Sequence, residues 1–247
     1  MIAVLWPDSG AGQLALPVGT FGPFMGALVV ISHSHGRHGV ARALRRHVRF
    51  RDATIAIALA VLIPVVLLLA GRGLHLLTGG DEVNGAGWAA EVLPLVMLYV
   101  LVLGGPLGEE LGWRGFALPW LEARWHPVVA TLALWAVWAA WHVPLFLVEG
   151  SAQAAVPPWL WLLQILVLSF LFTWLQHLAP HTLVPALVLH TAFNVGAGVL
   201  LIDPDAGASV RAILVALLLG AALVAALATT RTFREGRAEL ASADAAG

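Results

Sequence analysis

The chain lacks cysteine altogether, and all 13 of its basic residues are arginine. Without cysteine there are no disulfides and no thiolate metal sites, and the redox compartment is left open. Charge is scarce as well: 11% of 247 residues, against about 25% in a soluble globular domain. The formal net charge of -1 is uninformative, and nothing suggests a nucleic-acid partner. The N-terminal MIAVLWPDSG has no basic n-region, so no cleavable signal pattern is present. What remains is hydrophobic, 60% of the residues, with a mean hydropathy of +0.88. It is gathered into runs of about 18 residues or more, long enough to cross a hydrocarbon core roughly 30 Å thick. The expected fold class is all-α, a polytopic transmembrane helical bundle whose constant partner is the lipid bilayer.

Windowed hydropathy predicts seven spans, at 15–33, 53–71, 88–104, 127–148, 158–178, 181–202 and 209–230. The third can continue past Gly104, Gly105 and Pro106, because broken helices are tolerated where protein or a cavity lies alongside. Together they make one integral membrane domain over 1–231 with its motif core at about 90–200. Residues 232–247 are expected to be a polar, disordered tail. Arg37, Arg42, Arg45, Arg46, Arg49 and Arg51 crowd the first loop, and Arg231, Arg234 and Arg237 follow the last span. VEGSAQAAVPP and DPDAGAS hold no basic residue. Positive-inside counting therefore places the arginine loop and the C-terminus in the cytoplasm of a cell (plasma or inner) membrane. The stretch 113–126, WRGFALPWLEARWH, reads as interfacial.

Ionisable groups within such spans cost a few kcal/mol on insertion scales, so each is by default a functional hypothesis. Three places stand out: Glu109, Glu110 and Arg114 in GPLGEELGWRGF; His142 in LWAVWAAWHVPLF; and His190 with Asn194 in PALVLHTAFNVGAG. Helical spacing separates the two glutamates. Glu110 and Arg114 stand four apart and can pair on one face, whereas Glu109 points about 100° away and is left to act as a general base. His190 and Asn194 are also four apart, and both can donate to a shared anion. Each group has a plainer reading: a packing histidine at 142, interhelical glue at 190 and 194, and a headgroup cluster at 109–114. His33, His35, His38 and His47 read as solvated, and His177 and His181 carry little functional weight. Three signals on three separate spans are what favour a site.

In that order, Glu109-Glu110-x-x-x-Arg114, Trp138-x-x-x-His142 and His190-x-x-x-Asn194 resemble the CPBP family, the CAAX prenyl endopeptidases and the Abi, bacteriocin-processing type of intramembrane protease. The resemblance covers about residues 90–200. Two departures are visible. The family usually has Phe where Trp138 stands, an aromatic exchange expected to alter packing rather than chemistry. Its core also usually has eight spans, and the absent one would precede residue 15.

The resemblance implies hydrolysis of peptide bonds in membrane-associated proteins or peptides. Glu109 would activate water with His142 orienting it or shuttling the proton, and His190 with Asn194 would stabilise the oxyanion. Glu110, Arg114 and Trp138 would support them. It implies no cofactor. A zinc-dependent variant stays open, since Glu109, His142 and His190 form a two-His, one-Glu set with a place for water; no HExxH pair is present. Two other classes also stay open: a transporter, although no repeated halves appear, and a non-catalytic scaffold or immunity protein. Depth is the difficulty. At 1.5 Å per residue His142 lies roughly 22 Å and His190 roughly 14 Å into their spans, while Glu109 is near the end of its own. A shared site demands tilted helices or a water-filled cavity.

Overall fold

A computed structural model describes residues 18–46, 53–82, 89–148, 151, 153–154, 156–203, 207–208 and 210–228. The loop at 47–52 and the tail from 229, which bear on the predicted orientation, lie outside the described residues. So do residues 15–17 of the first predicted span and the side chains of His35, His38 and His47.

The polypeptide is helical, as the apolar runs require. Helix α1 (Gly22–Arg46) changes direction at Gly36, where φ is 62°. Next come α2 (Thr54–Leu77), a 3-10 turn at Ala90–Val92 and α3 (Leu93–Leu103). Helix α4 (Pro106–Gly112), a π-helical turn at Trp113–Ala117 and α5 (Leu118–Glu122) follow. Helix α6 (Pro127–His142) runs into a 3-10 turn at Val143–Leu147. The chain continues through α7 (Pro158–Leu178), α8 (Val184–Leu200) and α9 (Val210–Ala228). A two-residue antiparallel ribbon, Ile202–Asp203 with Gly207–Ala208, links α8 to α9. Seven helices have proline in their first turn: Pro23, Pro94, Pro106, Pro119, Pro127, Pro158 and Pro185. There the missing N–H costs nothing and the fixed φ suits the helix.

Each predicted span coincides with a helix. Thr54–Leu77, Ala90–Glu122, Pro127–Leu147 and Pro158–Leu178 are long and apolar enough to cross a bilayer. Packing follows the logic of a membrane, with small residues inward and large apolar ones outward. In α2, Ala56, Ala60, Pro64 and Leu68 recur every fourth position and are buried, while Ile55, Leu62, Val66 and Leu69 are exposed. The buried stripe lies against α8 and α9, and α7 packs on both α6 and α9. Hydroxyls add polar ties: Thr131 of α6 and Thr173 of α7 share a hydrogen bond of 2.8 Å.

The third span is broken. Helix α3 stops at Leu103, Gly105 takes φ 119°, a region that favours glycine, and Pro106 restarts the chain as α4. Helix α4 then lies against α1. Gly108 and Gly112, four apart, make that approach feasible: a methyl on Gly108 would meet the Thr20 carbonyl oxygen at 2.5 Å, and one on Gly112 would collide with the Pro23 backbone. Gly112→Val should therefore destabilise the protein by about 1–3 kcal/mol, as overpacking does. Thermal unfolding in detergent measures this against Gly26→Ala, where an added methyl meets nothing within 4 Å.

The stretch 113–126 has two sides. Glu110, Arg114, Leu118 and Glu122, spaced by four, are all buried, whereas Pro119, Trp120 and the run Ala123, Arg124, Trp125 and His126 are exposed. The polar groups on the inner side find partners within the bundle, so this stretch lies against protein rather than headgroups alone.

Candidate active site

The α4 helix turns both glutamates inward, where Glu109 is 5% and Glu110 0% exposed. Their surroundings differ as the helical spacing predicts. Glu110 Oε1 accepts a hydrogen bond from Arg114 Nη1 at 3.0 Å, an ion pair buried at both ends. The same oxygen lies 2.8 Å from His190 Nδ1. An ionised carboxylate only accepts, so that nitrogen carries a proton. The Arg114 guanidinium sits in the slot where two nearly perpendicular rings meet, 4.4 Å from the centre of Trp138 and 4.1 Å from that of Phe172. Planar, weakly hydrated guanidinium suits such a slot better than an ammonium would.

Glu109 has different partners. Its Oε2 accepts from the Trp138 indole N–H at 2.6 Å. Its Oε1 lies 3.9 Å from His142 Nε2. Beside Oε1 sits Gly105, where a Cβ would come within 3.0 Å of that oxygen. His142 is fixed from behind: its Nδ1 donates to the Trp138 carbonyl at 2.8 Å, which leaves Nε2 as an acceptor facing Glu109. Trp161 packs on the other side of the His142 ring, at 4.9 Å between centres.

Trp138 is the hub. Its ring meets His142, His190 and Phe172 edge-on at 5.5, 5.8 and 5.9 Å, and it is 2% exposed. Here an expectation fails: the exchange of Phe for Trp does more than alter packing, because the indole N–H binds the carboxylate expected to act as base.

Asn194 is placed differently from the others. It is half-buried and lines a cavity of about 400 Å³ together with Tyr99, Gly104, Gln153, Trp161 and Gln164. Gly104 precedes the turn that carries Glu109, and Trp161 touches His142, so this cavity adjoins the cluster. Thus Glu109, His142, Glu110 and His190 gather around Trp138, and Asn194 faces the neighbouring space. His190 Nδ1 turns to Glu110, which leaves Nε2 as the ring nitrogen able to share an anion with Asn194.

Among the described residues, no three His, Asp or Glu side chains are placed to hold a metal ion. In the set Glu109, His142 and His190, Glu110 takes the Nδ1 of His190, which leaves Nε2 as the nitrogen a metal would use. Sequence reasoning passed over another buried pair. His177 Nε2 lies 2.8 Å from Glu122 Oε1, both within the bundle, and ties the end of α5 to α7. The spacing of Glu122 from Glu110 and Arg114, on the same inward stripe, was the available signal.

The fold and the cluster define a class, a polytopic membrane protein with paired carboxylates and imidazoles buried in its bundle. A family model described as type II CAAX prenyl endopeptidase Rce1-like matches residues 91–196. The chain is also similar to CAAX prenyl protease 2 of Methanococcus maripaludis, 26% identical over 210 residues, which cover 80% of this chain and 76% of that protein. These matches support a membrane-embedded protease.

Proposed function

We propose that the protein is a CPBP-type intramembrane endopeptidase that hydrolyses peptide bonds of membrane-associated proteins or peptides, with Glu109 as general base. The observation that carries this reading is the approach of Glu109 Oε1 to His142 Nε2, 3.9 Å apart within the bundle. A water beside both acceptors can donate one proton to each at about 2.8 Å, in a bent geometry. Glu109 then accepts the proton as the water oxygen attacks the peptide carbonyl, and passes it to the departing amine.

Oxyanion stabilisation falls to His190 and Asn194. In the form protonated on both ring nitrogens, His190 donates through Nδ1 to Glu110 and through Nε2 to the oxyanion. Asn194 contributes from the cavity wall, and the cavity, with its amides on apolar walls, is the space for the substrate segment. One oxyanion donor contributes about 3 kcal/mol, so Asn194→Ala should lower kcat by about a hundred-fold. Turnover of reconstituted protein, normalised to folded protein, checks this.

The substrate is to be found by trapping. Glu109→Gln in native membranes should retain an uncleaved protein that wild type processes, and mass spectrometry of the captured species identifies it. Recovery of the same species, uncleaved, with wild type would count against proteolysis and favour a scaffold.

A further inference from the structure

Trp138 carries the one side-chain hydrogen bond to Glu109 among the described residues, at 2.6 Å. The donor is a buried indole that cannot swing away. Arg114 covers its face, and His142, His190 and Phe172 meet its edges. The backbone of the same residue anchors His142, whose Nδ1 donates to the Trp138 carbonyl at 2.8 Å. One residue therefore orients both members of the Glu109–His142 pair, the acid through its side chain and the imidazole through its main chain.

We propose that Trp138 is a positioning residue that makes Glu109 a one-sided base. The indole N–H occupies Oε2 and fixes the carboxylate plane, so that Oε1, between Gly105 and His142, is the oxygen that receives the proton. This rests on the reading of Glu109 as the general base. Two effects oppose one another. The hydrogen bond stabilises the charged carboxylate and so weakens it as a base, and it also holds that base in line with the water. Orientation dominates, because a misplacement of about 1 Å can cost a hundred-fold in rate. Removing the N–H is therefore expected to slow the reaction.

The test separates hydrogen bond from ring. Position 138 is filled with 3-benzothienylalanine, which keeps the bicyclic shape and replaces N–H by sulfur, and in a second protein with Phe. Both are compared with wild type on a quenched fluorogenic peptide in proteoliposomes, alongside melting temperature. The sulfur analogue should lose about 10- to 100-fold in kcat, with KM within about twofold and melting retained. Trp138→Phe should show the same kcat loss and also a lower melting temperature, since a smaller ring leaves Arg114 less covered. Wild-type kcat in the sulfur analogue, or a loss that only tracks its folded fraction, overturns the positioning role and leaves the protease reading intact. A wild-type protein that cleaves no peptide while Trp138 and Glu109 variants melt normally overturns both.

Discussion

Glu109→Gln lowers kcat by about a hundred- to ten-thousand-fold, the range for loss of a general base, and leaves the folded protein as stable as wild type. The change is nearly isosteric. An amide oxygen can still accept from the Trp138 N–H, so packing survives, but the side chain no longer takes a proton from water. The neighbouring substitution behaves differently. Glu110→Ala leaves Arg114 and His190 without the carboxylate they share, so it reduces activity and lowers folded yield together. Kinetics and thermal unfolding run on the same two preparations decide the matter. Equal loss of activity with unchanged melting in both variants removes the basis for giving the two glutamates separate work.

Arg114→Met is expected to cost about 3–5 kcal/mol of stability, the range for breaking a buried ion pair from one side. The side chain is 1% exposed, pairs with Glu110 and packs against the rings of Trp138 and Phe172. Its loss strands the Glu110 charge in a low-dielectric interior, with His190 as its remaining partner. The asymmetry gives a sharper form of the prediction. Arg114→Met combined with Glu110→Gln should melt higher than Arg114→Met alone, because no unpaired charge is then buried. A double variant no more stable than the single one would show that Arg114 acts through packing between Trp138 and Phe172 rather than through charge.

Much of this arrangement was legible before any coordinates. Hydropathy located the spans because crossing a bilayer demands length and apolarity, both readable along the chain. The pairing of Glu110 with Arg114 followed from a four-residue spacing, a local property of one helix. What stayed hidden was non-local. The break at Gly104, Gly105 and Pro106 was readable from those residues, but the packing of α4 and of the π-helical turn at Trp113–Ala117 against α1 is recorded by no periodicity within 90–122. His190 was expected to share an anion with Asn194. Its binding to Glu110, 80 positions away in the chain, is set by how α8 meets α4. Trp138 was read as a packing ring because its N–H has meaning only once Glu109 is known to lie beside it. The pair of Glu122 with His177 was missed for the same reason.

The central claim is that water, activated at Glu109, cleaves a peptide bond. It is tested most directly by digesting a membrane-protein reporter in H2(18)O with purified, reconstituted protein and weighing both fragments. The account predicts one heavy oxygen in the new carboxyl terminus of the N-terminal fragment with wild type, and no fragments above background with Glu109→Gln. Fragments formed by Glu109→Gln at the wild-type rate would contradict it.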